Sequence, residues 1–384
     1  MFRDNNKVFI LDGATGTELM KRGMPGGACP EKWVLENPSA IIELQRAYVD
    51  AGSMCVYAPT FGANRERLRS HGLTGVREYC RDLVALSREA VQGRVPVGGD
   101  ISSTCLQLAP FGTAEFSDLI DIFTEQAEAL VEAGADFFAI ETQMSLPEAR
   151  AAVMAVRSVS DKPVLVSLAC GDNGRTVMGT DPVAGLLSIQ ALGADAYGVN
   201  CCSDLVLLGR IISSMRPYAA VPLIAKPNAG HPESAGGKTV YHLPPEDFAA
   251  AGAEYVSLGA GLIGGCCGTA PEHIEALARA CAALQPKAPV SSPKAAAASQ
   301  SRVADIDGDT EFFTAEINDD LLDSMAEALG EGADVLRLRV RDEDDIDIID
   351  ECQYALSMPL SVSFDSPELK PKFERIYHGL AHFE

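Results

Sequence analysis

From residue 8 to about residue 285, short apolar or β-branched runs alternate with stretches of helical periodicity. Eight runs stand out, at 8–12, 54–60, 96–101, 137–142, 164–169, 196–201, 222–226 and 255–259. Between them apolar residues recur at three- and four-residue spacing, as in 40–51, 117–133, 146–159 and 203–215. This alternation marks parallel strands joined by helices. Eight such units predict an α/β chain folded as a (β/α)8 TIM barrel; a doubly wound open sheet would show the same alternation. The pairs Ala51-Gly52, Gly134-Ala135, Gly193-Ala194 and Gly252-Ala253 each precede a run, where a glycine in the left-handed region closes a helix and turns the chain.

The pattern changes after residue 285. Residues 286–303 are rich in Pro, Ala and Ser, lack apolar periodicity and read as a linker between a barrel at 1–285 and a small acidic α/β segment at 304–384. That last segment holds 22 acidic against 6 basic residues, so most of the net charge of −23 is concentrated there. Such a surface is a poor partner for nucleic acid or an anionic membrane. No run of 18 or more apolar residues occurs, and residues 1–6 lack the apolar core of a secretory signal. With eleven cysteines and no such signal, reduced thiols in a cytoplasm are expected.

If the barrel is right, chemistry belongs at the carboxyl ends of its strands. Asp12, Thr60, Asp100, Glu141, Asn200, Cys201 and Asn228 fall there, followed by Gly264-Gly265-Cys266-Cys267-Gly268 after the last run. Adjacent side chains on a strand point to opposite faces, so two neighbouring sulfurs converge only where the backbone leaves the strand conformation, which flanking glycines permit. Cys201, 65 residues upstream of Cys266, offers a third sulfur. Three thiolates leave the fourth position of a tetrahedral zinc open, as in catalytic sites; the competing reading is three buried cysteines acting as small hydrophobes. A vicinal dithiol redox role is disfavoured by the strain of such disulfides and the absence of a CxxC. The remaining cysteines, Cys202 included, read as packing residues, Trp33 as a rim-packing residue, and His273 as a helix-cap residue.

These residues, taken in order, resemble the homocysteine S-methyltransferase family, the zinc module of cobalamin-dependent methionine synthase and of betaine–homocysteine methyltransferase. The likeness rests on Asp12-Gly13-Ala14-Thr15-Gly16-Thr17, Thr60-Phe61-Gly62-Ala63-Asn64, Ile140-Glu141-Thr142, Val199-Asn200-Cys201, Pro227-Asn228-Ala229-Gly230 and Gly265-Cys266-Cys267-Gly268-Thr269. It implies Zn2+ held by Cys201, Cys266 and Cys267 as catalytic ligands. It further implies homocysteine as the substrate, bound through Asp12, Gly13, Ala14, Thr15, Glu141 and Asn200, with Glu141 taking the ammonium and the amides at 13–15 the carboxylate. The donor it implies is methylcobalamin or methyltetrahydrofolate, supplied by another subunit or domain, so a corrinoid- or folate-binding protein is the expected partner. An S-methylmethionine- or betaine-type donor is the alternative, and a non-catalytic zinc-binding regulatory subunit the alternative outside catalysis. The acidic segment resembles the start of the pterin-binding barrel of methionine synthase, truncated well short of eight strands.

Overall fold

The computed structural model describes residues 1–2, 7–236 and 238–384; residues 3–6, part of the polar chain start, lie outside the described residues. Strands β1 (Phe9–Ile10), β2 (Val56–Tyr57), β3 (Val97–Ile101), β4 (Phe137–Gln143), β5 (Val164–Ala169), β6 (Ala196–Asn200), β7 (Leu223–Lys226) and β8 (Ala260–Ile263) form one parallel sheet. Its order, β1-β8-β7-β6-β5-β4-β3-β2, runs sequentially around. The remaining seam is spanned by the Met54 amide, which donates to the Ile10 carbonyl at 2.7 Å. This is the (β/α)8 barrel that the alternation predicts.

The eighth strand is not where the sequence pattern places it. Residues 255–258 are the last turn of a helix, Pro245–Leu258, and the strand follows at Ala260–Ile263. Tyr255 and Val256 are typical strand residues, yet both are buried on the inner side of this helix, which begins with a proline in its first turn and closes at Gly259 with φ +125°. Gly252 therefore turns no chain. A Cβ there would lie 2.2 Å from Leu277 Cδ1, so its absence lets helix Pro271–Cys281 pack close.

At two of the other pairs, glycine followed by Ala-Asp does a recurring job. Gly134 and Gly193 have φ of +81° and +87°, and the aspartates that follow close a reciprocal pair with the strand behind. Asp136 accepts from Val97 N–H at 2.8 Å, and Asp195 accepts from Val164 N–H at 3.0 Å, each returning its own N–H to the same residue's carbonyl at 2.8 Å. Each pair satisfies strand-end amides that would otherwise be orphaned.

Inward-facing positions alternate with positions packed under the helices, as a closed barrel requires. Phe9, Leu11, Tyr57, Phe137, Ala139, Leu165, Ala196, Ile224 and Leu262 fill the lumen, and Phe2 plugs its lower end against Phe9 and Phe137 at 4.8 and 5.0 Å between ring centroids. Continuing the inward rows toward the mouth, by two residues on β4 and β7 and by four on β6, reaches Glu141, Lys226 and Asn200. The apolar plug thus ends in a polar layer at the mouth.

The acidic segment is a second parallel sheet, with β9 (Phe312–Thr314), β10 (Val335–Val340), β11 (Leu360–Phe364) and β12 (His382–Phe383) in sequential order. Helices Leu321–Glu331, Glu343–Cys352 and Leu369–Ile376 connect them and bury Leu336, Leu338, Val340, Leu360 and Val362. The Gly-Ala-Asp device returns here, Asp334 pairing with Glu311 as its counterparts do in the barrel. Within residues 286–303, Ala296–Ala298 pairs antiparallel with Val303–Asp305, and Ala298 exchanges two backbone hydrogen bonds with Leu380.

Arg150, on barrel helix Leu146–Val159, is buried and donates to Ser188 Oγ at 2.6 Å and to the carbonyls of Glu374 and Gly379 at 2.8 and 3.3 Å. Beside it His378 is buried, tilted against the Phe116 ring at 5.0 Å, and neither ring nitrogen has a hydrogen-bond partner among the described residues. Burial, reinforced by the Arg150 charge, pulls the imidazole down to about 3 from 6.5. A depressed histidine is neutral when folded and takes up a proton on unfolding. Its contribution is therefore whole above pH 6.5 and lost progressively as pH falls toward 3. We expect about 2 kcal/mol less stability at pH 5 than at pH 7 from this group. Denaturant titrations at the two pH values should show the decrement in the wild type and a smaller one in His378→Leu.

Candidate metal centre

Three sulfurs meet at the mouth. Cys201 follows β6, Cys266 and Cys267 follow β8, and their Sγ atoms all lie within 4.8 Å of one another, Cys201 and Cys267 at 3.8 Å. Four ligands at a Zn–S distance of about 2.3 Å around a tetrahedral ion stand roughly 3.8 Å apart, so the cluster matches the edge of such a shell. None of the eleven cysteines is in a disulfide. Among the described residues no histidine or carboxylate joins the three as a fourth ligand.

The two cysteine loops are held by the end of the strand between them. The Lys226 carbonyl accepts from Cys201 N–H at 3.1 Å and the Pro227 carbonyl from Cys266 N–H at 2.8 Å. Asn228 N–H donates to Cys202 O and Ala229 N–H to Cys267 O, both at 2.9 Å, while Asn228 Nδ2 donates to Cys201 O at 3.2 Å. Residues 226–229 therefore stitch both loops to β7. Cys201 itself sits at φ +57°, a left-handed conformation that costs a non-glycine residue energy and turns its side chain out of the strand's alternation.

Asn200 organises the opposite side. Its Oδ1 accepts from Thr142 N–H and Ser167 Oγ at 3.0 and 2.9 Å, and its Nδ2 donates to Thr142 Oγ1 at 2.7 Å and to Cys266 Sγ at 3.7 Å. Asn200 is thus a support for a sulfur and for the strained end of β4, where Thr142 has φ +58°. Hydrogen bonds from Cys201 and Cys266, with Tyr241, hold Cys267 below the ordinary thiol value, whereas bonds with Cys266 and Cys267 raise Cys201. Cys266 is drawn down by Cys201 but raised on balance by Cys267 and burial. Three converging sulfurs are a donor set suited to a thiophilic divalent ion.

Beside the sulfurs lies a buried charged layer. Lys226 Nζ stands 2.9 Å from Glu141 Oε2, 3.4 Å from Asp12 Oδ1 and 4.0 Å above the centre of the Tyr57 ring. Asp12 also accepts from Tyr57 N–H at 2.8 Å, and burial, against the pull of Lys226, pushes its carboxyl up to about 6. Asp100 completes the layer from β3, its carboxyl raised by burial and then by Glu141, with Oδ1 unpartnered among the described residues. Burial disfavours the lysine's charge, but Glu141, Tyr57 and Asp12 more than reverse this.

This layer corrects the reading of the amino-acid end of the site. Asp12 is buried and each of its oxygens already accepts a hydrogen bond inside the protein, so the more open acceptor for an ammonium group is Glu141. Glu141 keeps Oε1 without a partner among the described residues and is partly exposed. The Ala14 amide donates to Thr269 Oγ1 at 3.0 Å and cannot also receive a carboxylate, which leaves the amides of Gly13 and Thr15. Lys226 is the residue that motif reasoning passed over. It ends the seventh run, two positions beyond the inward Ile224, and a charged residue at that place in an inward row is the signal that would have found it. His273 takes no part, its ring bonding Ala270 N–H at 3.2 Å and lying 3.0 Å from Leu243 O.

The family model for homocysteine S-methyltransferase matches residues 9–281. The chain belongs to that family. The homocysteine S-methyltransferase match covers all eight barrel strands and the three cysteines, and stops before the acidic segment. Methionine synthase of Mycobacterium tuberculosis is 28% identical over 303 residues, covering 73% of this chain and 25% of that protein. The Mycobacterium leprae enzyme is likewise 28% identical over 298 residues, covering 72% of this chain and 24% of its own length. The chain thus spans about a quarter of the length of these relatives. Among solved structures, the oxidized and metallated forms of the Escherichia coli homocysteine methyltransferase MmuM share the fold, with TM-scores of 0.60 and 0.59 at 24% identity. They cover 72% and 71% of this chain and 97% and 96% of theirs.

Gly268 tests the local geometry. It has φ +84°, and a Cβ would fall 2.2 Å from the Tyr241 ring. Gly268→Ala should destabilise the barrel by about 1–3 kcal/mol through backbone strain and overpacking, read as a lower denaturant midpoint.

Proposed function

We propose that this chain moves a methyl group onto the sulfur of L-homocysteine to give methionine, with zinc held by Cys201, Cys266 and Cys267. The observation that carries the reading is the convergence of three sulfurs at a tetrahedral edge length with no fourth protein ligand among the described residues. A structural zinc site would close with four protein ligands; an open position is what a substrate thiol needs. Bound there, zinc supplies the positive charge that lets the acceptor thiol lose its proton near neutral pH.

The rest of the work belongs to the chain. Glu141 Oε1 takes the ammonium group, and the Gly13 and Thr15 amides, at the start of helix Gly16–Lys21, face the carboxylate. Holding both ends of the amino acid aims its thiol at the cysteine cluster and removes the orientational cost of reaction. The acceptor sulfur then forms a bond to the methyl carbon, and the donor leaves with the electron pair of the bond it loses. Asn200, donating to Cys266 Sγ, fixes the direction of that ligand and tempers its charge.

The donor in this reading is methylcobalamin or methyltetrahydrofolate carried by another domain or protein. Large exposed apolar residues support a protein-borne donor, because Met144, Val177, Met178 and Val206 stand on the mouth side of the barrel, after β4, β5 and β6. An apolar arc of that kind on the rim of an active site fits a docking partner better than a small soluble donor. No helix among the described residues is long and apolar enough to cross a membrane.

Two substitutions separate the roles. Cys267→Ala should lose bound zinc and all methyl transfer. Glu141→Ala should keep its zinc and raise KM for homocysteine roughly 10- to 100-fold, as expected for loss of a charge-assisted hydrogen bond. Metal analysis together with steady-state kinetics against methylcobalamin, methylcobalamin-loaded carrier protein, S-methylmethionine and betaine checks both. A zinc-free Cys267→Ala protein with full activity would contradict the assignment.

A further inference from the structure

We infer that Lys226 is a positioning residue that makes the acceptor site selective for a thiol bearing one ammonium group. The inference rests on the methyltransferase reading and concerns the end of the site remote from the metal.

The charged layer holds three carboxylates, Asp12, Asp100 and Glu141, and one lysine, all at the end of the lumen. Lys226 Nζ lies between the two carboxylates best placed to attract a cation, and its side chain is only 3% exposed. By engaging Asp12 Oδ1 and Glu141 Oε2, it removes Asp12 and one edge of Glu141 from competition. What remains is Glu141 Oε1 at the partly exposed edge of the layer, together with the buried Oδ1 of Asp100, whose carboxyl is raised by burial and by Glu141. Tyr57 holds the lysine from below through its ring face and holds Asp12 Oδ2 through its backbone N–H, so the arrangement is braced on two sides.

The consequence is positional. An ammonium group on Glu141 Oε1 stays at the open edge of the layer, from which the thiol of the same molecule reaches toward Cys201, Cys266 and Cys267. Were Lys226 absent, Asp12 would present a second buried anion, and the ammonium would be drawn inward between the two carboxylates. The acceptor would then lose its register with the sulfurs. A thiol without an amino group would feel none of this.

The test compares L-homocysteine with 4-mercaptobutanoate, the same molecule without its amino group. Isothermal calorimetry on the zinc-loaded full chain gives both affinities, and steady-state kinetics gives kcat/KM for both. The wild type should prefer homocysteine. Lys226→Gln should lower kcat/KM for homocysteine about tenfold or more while leaving that for 4-mercaptobutanoate within about threefold, with zinc content unchanged. The double variant Asp12→Asn with Lys226→Gln, which removes one anion and one cation together, should recover much of the preference for homocysteine. It also serves if the single variant does not fold, because it restores the net charge of the layer, with only Glu141 losing its lysine partner. A fall of equal size for both thiols would mark Lys226 as merely structural, and an undiminished preference in Lys226→Gln would equally overturn the inference. A wild-type protein that binds neither thiol would remove the methyltransferase reading itself.

Discussion

The site depends on how the end of β7 is bonded to its two neighbours. Cys201 and the Cys266-Cys267 pair leave strands that are not adjacent in the sheet, and residues 226–229 of the strand between them bond to both loops. Because these bonds are backbone to backbone, the spacing of the sulfurs is a property of the barrel and not of flexible side chains. The same four residues carry Lys226 into the lumen on one side and Asn228 against Cys201 on the other. The three cysteines and the charged layer therefore share one strap, and a shift in it would move both.

The barrel separates two kinds of chemistry by depth. Below the mouth, Phe2, Phe9, Phe137 and Leu165 exclude water and lower the effective dielectric. Above them, Asp12, Asp100, Glu141 and Lys226 are charged or chargeable groups that such surroundings would expel singly. Lys226 pairs with Asp12 and Glu141 at 3.4 and 2.9 Å, which offsets part of the cost of burying them. The sulfurs stand beside this layer at the exposed lip. In the proposed reaction an amino-acid thiol spans the two, with its charged end over the carboxylates and its sulfur at the cysteines.

Much of this was legible in the chain because motif and period agreed. The cysteine pair between glycines announced a backbone that leaves the strand, and Cys201 and Glu141 fell at strand ends by counting. What escaped had physical reasons. Tyr255 and Val256 look like strand residues, but Pro245 starts a helix that runs through them, so the eighth strand came five residues late. The role of Gly252 is close helix packing, which leaves no local trace in sequence. Lys226 was hidden because a lysine closing an apolar run reads as a solvated end; only the closed sheet turns that row inward. The Ala14 amide is taken by Thr269, a contact across more than 250 residues that no local pattern encodes.

The most direct test of the account is X-ray absorption at the zinc edge of the loaded protein, with and without L-homocysteine. Three sulfur scatterers at about 2.3 Å, rising to four when homocysteine is added, are the predicted result. Fewer than three sulfurs, or a shell that homocysteine leaves unchanged, would contradict it.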